Sequence, residues 1–161
     1  MAEISTFLET ENFLSFSIAP NFKAMLPTKQ LVEIINIAPH EIVPIPQMSE
    51  AVVGVFPWQG EVLWALDLSY WMGFDPLLTS KLKSSSCSIL KVKIQGKNIG
   101  FLIEQVGQII SCEPQKIQSY PVDLPQSVAN NPARTSCIKG SWINSQGERL
   151  FVFDAASFPG L

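Results

Sequence analysis

The sequence predicts a mainly β protein assembled from two related small units, and three observations carry that prediction. Apolar residues fall in runs of strand length, each bounded by Gly, Pro, Asn or Ser. The chain also repeats itself. Gly60-Glu-Val-Leu-Trp-Ala-Leu-Asp67 and Gly147-Glu-Arg-Leu-Phe-Val-Phe-Asp154 share Gly-Glu-x-Leu and a closing Asp at an offset of 87, while Gln30-Leu-Val-Glu-Ile-Ile35 and Gln105-Val-Gly-Gln-Ile-Ile110 match at an offset of 75. Finally, 47% of the 161 residues are hydrophobic and 16% charged, enough apolar material for a core and too little charge for disorder or long solvated helices.

Each element follows from its residues. After an acidic lead-in over 1–12, Phe13, Phe16 and Ile18 alternate imperfectly with Ser as a strand does, and Ala19-Pro20-Asn21 turns the chain into Phe22–Leu26, closing a first hairpin. Gln30–Ile35 suits either a short helix or a strand; its length and β-branching leave both open. Pro39, Pro44 and Pro46 enforce an extended loop, because each fixes φ and removes a ladder donor. Val52–Phe56 and Glu61–Leu66 flank a Pro57-Trp58-Gln59-Gly60 turn, and the unbroken run Val62–Leu66 predicts a strand buried on both faces. Asp67 is placed to cap a one-turn helix that Gly73 ends, and Pro76–Ser86 reads as a linker.

In the second half, Lys91 and Lys93 alternate with Leu90, Val92 and Ile94, which predicts a strand with one wet face. Gln95–Asn98 turns it into Ile99–Ile103. A proline-bearing stretch, Pro114–Pro132, precedes a last hairpin of Ile138–Ile143 and Leu150–Phe153 joined across Asn144–Gly147, and it accommodates the 12 residues by which the two repeat offsets differ. The repeat halves are about 13–75 and 87–158. A unit of this size is marginal alone. Pairing two buries apolar surface, worth about 25 cal/mol per Å², and leaves a groove at the junction.

Charge and motif content narrow the function. A net charge of −3 is too acidic for a nucleic-acid footprint, and the five lysines from Lys81 to Lys97 lack interleaved aromatics, reading as a solvated linker and strand face. No apolar run is long enough to cross a bilayer, and Glu3, Glu9 and Glu11 stand where a signal peptide would be basic and then apolar, so a cytoplasmic protein is expected. Cys87, Cys112 and Cys137 are odd in number with no CxxC, and the sole His40 sits in a proline-rich loop; neither disulfides nor a metal site are expected. Nucleophile-elbow and phosphate-loop motifs are absent. Asp67 and Asp154 could pair as catalytic acids, but each ends an apolar strand ahead of a short helical stretch, which favours capping. Trp58 and Trp142 stand near turns, as core residues or as exposed partner anchors.

The order of these elements resembles the CheW-like chemotaxis coupling protein family over about Phe13 to Phe158. The residues that carry it are the hairpin Phe13–Leu26, Leu31-Val-Glu33-Ile34, Ile42-Val-Pro-Ile-Pro46, Gly54-Val-Phe-Pro-Trp-Gln59-Gly60, Leu66-Asp67-Leu68, Gly100-Phe-Leu-Ile-Glu104-Gln-Val-Gly-Gln-Ile109 and the stretch Gly140 to Asp154. The resemblance implies two intertwined five-stranded SH3-like β-barrels with a few short helices. It implies a non-catalytic, cofactor-free adaptor bridging the cytoplasmic tip of a methyl-accepting chemoreceptor to the regulatory domain of a CheA-type histidine kinase, recruited to membrane-associated arrays. By motif, Leu31, Glu33, Ile34, Gly54, Gln59 and Gly60 would form the receptor groove, the two glycines serving equally well to shape turns. Where the family pattern has Arg, Asn and Asp, this chain has Gln59, Pro57 and Glu104. An Arg–Glu33 pair is thereby reduced to a Gln59–Glu33 hydrogen bond at most. The departures point to a divergent paralogue with its own receptor, in pilus-driven motility or phototaxis. The alternative is a small-ligand-binding or enzymatic barrel using the inter-barrel groove, with Asp67, Glu33 or serines as polar anchors.

Overall fold

The computed structural model describes residues 9–78, 86–119 and 123–161. Residues 1–8 of the acidic lead-in and 79–85 of the expected linker, with Lys81 and Lys83, lie outside these. Among the described residues, ten strands form two five-stranded sheets. Strands β1 (Glu11–Ala19), β2 (Phe22–Pro27), β8 (Gln105–Cys112), β9 (Ile138–Ile143) and β10 (Arg149–Phe153) make the first, ordered 8-1-2-10-9. The second holds β3 (Leu31–Ile37), β4 (Val52–Trp58), β5 (Glu61–Asp67), β6 (Cys87–Ile94) and β7 (Lys97–Ile103), ordered 3-6-7-5-4. The second sheet is continuous in sequence and nested inside the first, so each repeat half contributes strands to both.

Local chemistry explains the elements. Of Gln30–Ile35, Leu31 onward is strand, because Val32, Ile34 and Ile35 are β-branched and the segment finds a partner in β6, while Gln30 ends the preceding 3₁₀ turn. Gln59-Gly60 and Gln95-Gly96 hold positive φ at both central positions (48° and 84°; 52° and 80°), the twist that two-residue hairpins require. Single 3₁₀ turns at Pro39–Glu41 and Pro114–Lys116 then lead each edge strand onward, and Val43 bridges Val55 as Gln118 bridges Ser141. Those bridges curl each sheet into a barrel.

The repeat is visible in the ladders. Exchanging β1, β2, β8, β9 and β10 for β6, β7, β3, β4 and β5 turns one strand order into the other. Ile35 lies opposite Ile89 as Ile110 lies opposite Phe13, and Gly54 and Gly140, with φ of 152° and 156°, each let the bridging segment cross directly over the backbone. The longer second loop carries the helices Gln126–Ala129 and Pro132–Ser136. Arg134 ties them back by donating to the Trp71 and Ser127 carbonyls at 2.7 and 2.9 Å.

Three apolar clusters form the core. Ile35, Phe56, Leu63 and Ile89 fill the second barrel, and Phe13, Met25, Leu150 and Val152 fill the first. The largest cluster is the seam between them, where Leu14, Phe16 and Phe153 of one barrel meet Leu90, Val92 and Phe101 of the other. Phe153 meets Phe16 and Phe101 edge-on at centroid distances of 6.5 and 5.7 Å.

Two strand expectations are corrected. Lys93 is exposed as expected, but Lys91 is buried, 7% exposed: Leu90, Val92 and Ile94 enter the seam while Ile89 enters the barrel, and Lys91 sits on the barrel side, paired with Glu61 at 3.3 Å. Val62 is 67% exposed although the run Val62–Leu66 reads as buried on both faces. It lies at the hairpin end of β5, where neither the seam nor the barrel interior reaches.

Candidate functional site

The residues singled out in the first half gather on one side of the second barrel, with one exception. On β3, an edge strand, Leu31 and Glu33 are half-buried while Val32 and Ile34 are 50% and 38% exposed. The β4–β5 hairpin folds against this edge: Trp58 Nε1 donates to Glu33 Oε1 at 3.2 Å. Glu33 therefore takes its hydrogen bond from the Trp58 indole, one residue before Gln59; the left-handed φ of Gln59 places it at the hairpin tip, where it is exposed. Gly60 completes that turn with open space around it. Gly54 is the exception. It is buried, and a methyl group there would lie 2.7 Å from the Val43 carbonyl carbon and nearer still to its oxygen, so its place is the β4 crossing.

Asp67 and Asp154 do not converge as paired acids. Asp67 accepts from the Tyr70 amide at 3.0 Å and the Leu77 amide at 2.7 Å; burial nevertheless pushes its carboxyl above the ordinary range. For Asp154, burial is outweighed by hydrogen bonds from Gln30, Ser157 and the Ala156 amide and by the charge of Lys139, which hold it below that range. Both are caps, as their positions at strand ends suggested. Gln30, the last residue of the 3₁₀ turn Thr28–Gln30, does more than lead into β3. Its Nε2 donates to Asp154 Oδ1 at 2.7 Å and its Oε1 accepts from the Ala155 amide at 2.9 Å, so one side chain bridges the two barrels. Its repeat counterpart Gln105 is exposed on β8, so the match between the two did not signal this role.

Among the described residues, no cluster of His, Cys, Asp and Glu has metal-ligand geometry, and no helix is long and apolar enough to cross a membrane. The three cysteines are free and buried, and burial pushes the Cys137 thiol up to about 12.

A concavity lies elsewhere among the described residues, at the mouth of the first barrel. It is a groove of about 600 Å³ between β8 and the β9–β10 hairpin, with Trp142 in its lining. Trp142, half-buried, is thus accessible from the groove, whereas Trp58 is occupied with Glu33. The other groove residues, a mixture of polar side chains such as Ser15 and Gln108 with strand residues such as Phe16 and Ile110, carry no motif that marks them as a site. Comparing the two repeat units position by position would have exposed them.

Comparison with known proteins agrees with this architecture. The family model for the CheW-like domain matches residues 12–158. The crystal structure of the scaffolding protein TtCheW from Thermoanaerobacter tengcongensis is similar with a TM-score of 0.72 at 19% identity, covering 90% of this chain and 89% of that one. No curated protein is significantly similar in sequence. With the family match spanning both barrels and the nested strand order accounting for it, the chain belongs to the CheW-like domain family.

Proposed function

We propose that this protein is a non-catalytic adaptor that couples the cytoplasmic tip of a methyl-accepting chemoreceptor to the regulatory domain of a CheA-type histidine kinase. The observation that carries the reading is the outer side of β3. There Val32 and Ile34 expose apolar surface on an edge strand, beside a Glu33 held in place by Trp58. An apolar pair flanking a fixed carboxylate suits the side of a helical receptor tip, which would present apolar residues at helical spacing and a donor to the carboxylate. Leu31, Glu33, Ile34, Gln59 and Gly60 belong to that face in this reading, and Gly54 serves the crossing of β4 by the Val43 segment. The kinase domain, a protein of the same barrel type by the family resemblance, would pack barrel end against barrel end.

The departures at Pro57, Gln59 and Glu104 support a dedicated receptor in a pilus-driven motility or phototaxis array. With Gln59 the hairpin tip carries no cation, so the receptor must answer Glu33 with its own donor. Co-purification with the receptor tip and the kinase regulatory domain tests the reading. The wild type is expected to retain both, and Ile34→Asp to lose the receptor while keeping the kinase. Retention of neither by the wild type overturns it.

A further inference from the structure

The mouths of the two barrels occupy equivalent positions in the repeat, yet they are filled differently. In the second barrel the chain closes its own mouth. Trp58 lies across it with its indole N–H on Glu33, Val32 forms the bulge beside it, and the ammonium group of Lys91 reaches in to Glu61. The ladder registers place Asn144, Gly107 and Ser15 at the corresponding positions of the first barrel. All three exchanges are from large to small. The 600 Å³ groove is the space so vacated, within the usual range for binding pockets.

We propose that this groove receives an aromatic side chain presented by an extended strand or hairpin of a partner protein. The second barrel shows what the position accepts, because Trp58 fills it there. Gln108 stands where Glu33 stands, so its side-chain oxygen can accept the N–H of an incoming indole or the O–H of a phenol. The lining is prepared for a ring. Trp142 takes the place of the fully buried Phe56, and Leu150 and Ile110 flank it. The walls are held open rather than collapsed. Ser15 Oγ donates to the Gln108 carbonyl at 3.0 Å and accepts from the Gln108 amide at 2.9 Å, fixing the bulge, while Lys23 and Glu148 pair across the far side. Gly107 keeps its place because a methyl group there would lie 2.6 Å from the Ser15 carbonyl oxygen.

A strand-borne ring fits better than a free small molecule. The groove runs along β8, an edge strand whose one sheet neighbour is β1, so a partner strand entering the groove meets backbone groups on the outer side of β8. The site is separate from the β3 face, and its success or failure is independent of receptor coupling.

The test uses the isotopically labelled full chain titrated with N-acetyl-L-tryptophanamide and followed by amide and indole resonances. Saturable shifts are expected at Gly107, Gln108 and the Trp142 indole, with N-acetyl-L-leucinamide binding about tenfold more weakly. Gln108→Trp, which supplies a ring from the chain itself, is expected to abolish the response, and Gln108→Ala, which leaves the groove open but removes the acceptor, to weaken it without abolishing it. Ser145→Trp plugs the groove from the exposed hairpin loop and serves if the first plug misfolds. No saturable shift, equal binding of the leucine analogue, or unchanged binding in a folded plugged variant overturns the proposal.

Discussion

Replacing Gly54 with Ala puts the barrel closure under direct load. With φ at 152°, the new methyl group would sit 2.7 Å from the Val43 carbonyl carbon and 3.0 Å from the Pro44 α-carbon. Both obstacles are backbone, so neither can rotate away as a side-chain tip would. Val43 and Val55 exchange two hydrogen bonds at this crossing, 2.7 and 2.9 Å long. Losing both removes about 2 kcal/mol at roughly 1 kcal/mol each. Residual overpacking and backbone strain add about 1–3 kcal/mol. The sum, about 3–5 kcal/mol, is a large share of the stability of an ordinary domain. With a urea dependence of about 2 kcal/mol per M, the unfolding midpoint falls by about 1.5–2.5 M. Tryptophan fluorescence during urea titration reads this, with Gly60→Ala as the control. Gly60 also holds positive φ, 84°, but nothing lies within 4 Å of an added methyl group, so only left-handed strain of about 1–2 kcal/mol applies. A midpoint shift for Gly54→Ala no larger than that of Gly60→Ala would refute the reasoning.

Gln30→Ala strands the fully buried Ala155 amide and is expected to destabilise by about 1–3 kcal/mol in the same titration. It also changes the acid limb. Asp154 is held below the ordinary carboxylate range, so its contribution is complete above the unfolded value near 3.8 and is lost as pH falls through the lower folded value. Thermal melts across that window should show a shallower acid loss in Gln30→Ala than in wild type. Trp58→Phe keeps the ring and removes the N–H to Glu33, which for this partly exposed pair costs about 1 kcal/mol; an unchanged urea midpoint would mean the bond contributes nothing. Because Cys87, Cys112 and Cys137 are buried with raised thiol pKa values, Ellman's reagent should label none of them in the native protein at mildly alkaline pH and all three in denaturant.

What could be read from the sequence was whatever depends on short-range pattern. The Gly-Glu-x-Leu…Asp repeat located β5 and β10, and its closing aspartates are caps because a carboxylate at the end of a strand meets the free amides of the next turn. Pro39 and Pro114, and Ile42 and Ile117, share the same offset of 75 and mark equivalent turns, yet loops carry too little apolar pattern to draw attention. Lys91 was misplaced because alternation reports which residues share a face, and says nothing about whether that face meets water or a barrel interior. Pairing Glu33 with Trp58 instead of Gln59 depends on the hairpin register, which puts Trp58 opposite Glu61 and leaves Gln59 in the turn. The groove was illegible for a different reason. It is made of missing volume, and only an equivalent filled site reveals what is missing.

The nesting of one sheet inside the other constrains how the molecule can move. The backbone passes between the barrels at Thr28–Gln30 and again at Glu104, whose amide donates to the Ser17 carbonyl at 2.9 Å. Two tethers by themselves would permit a hinge, but the packed apolar seam between the barrels would have to be broken for one to swing against the other. A push delivered to either barrel therefore displaces the whole body, and any message this protein relays must travel as a change of pose, with no internal joint to store or reset it.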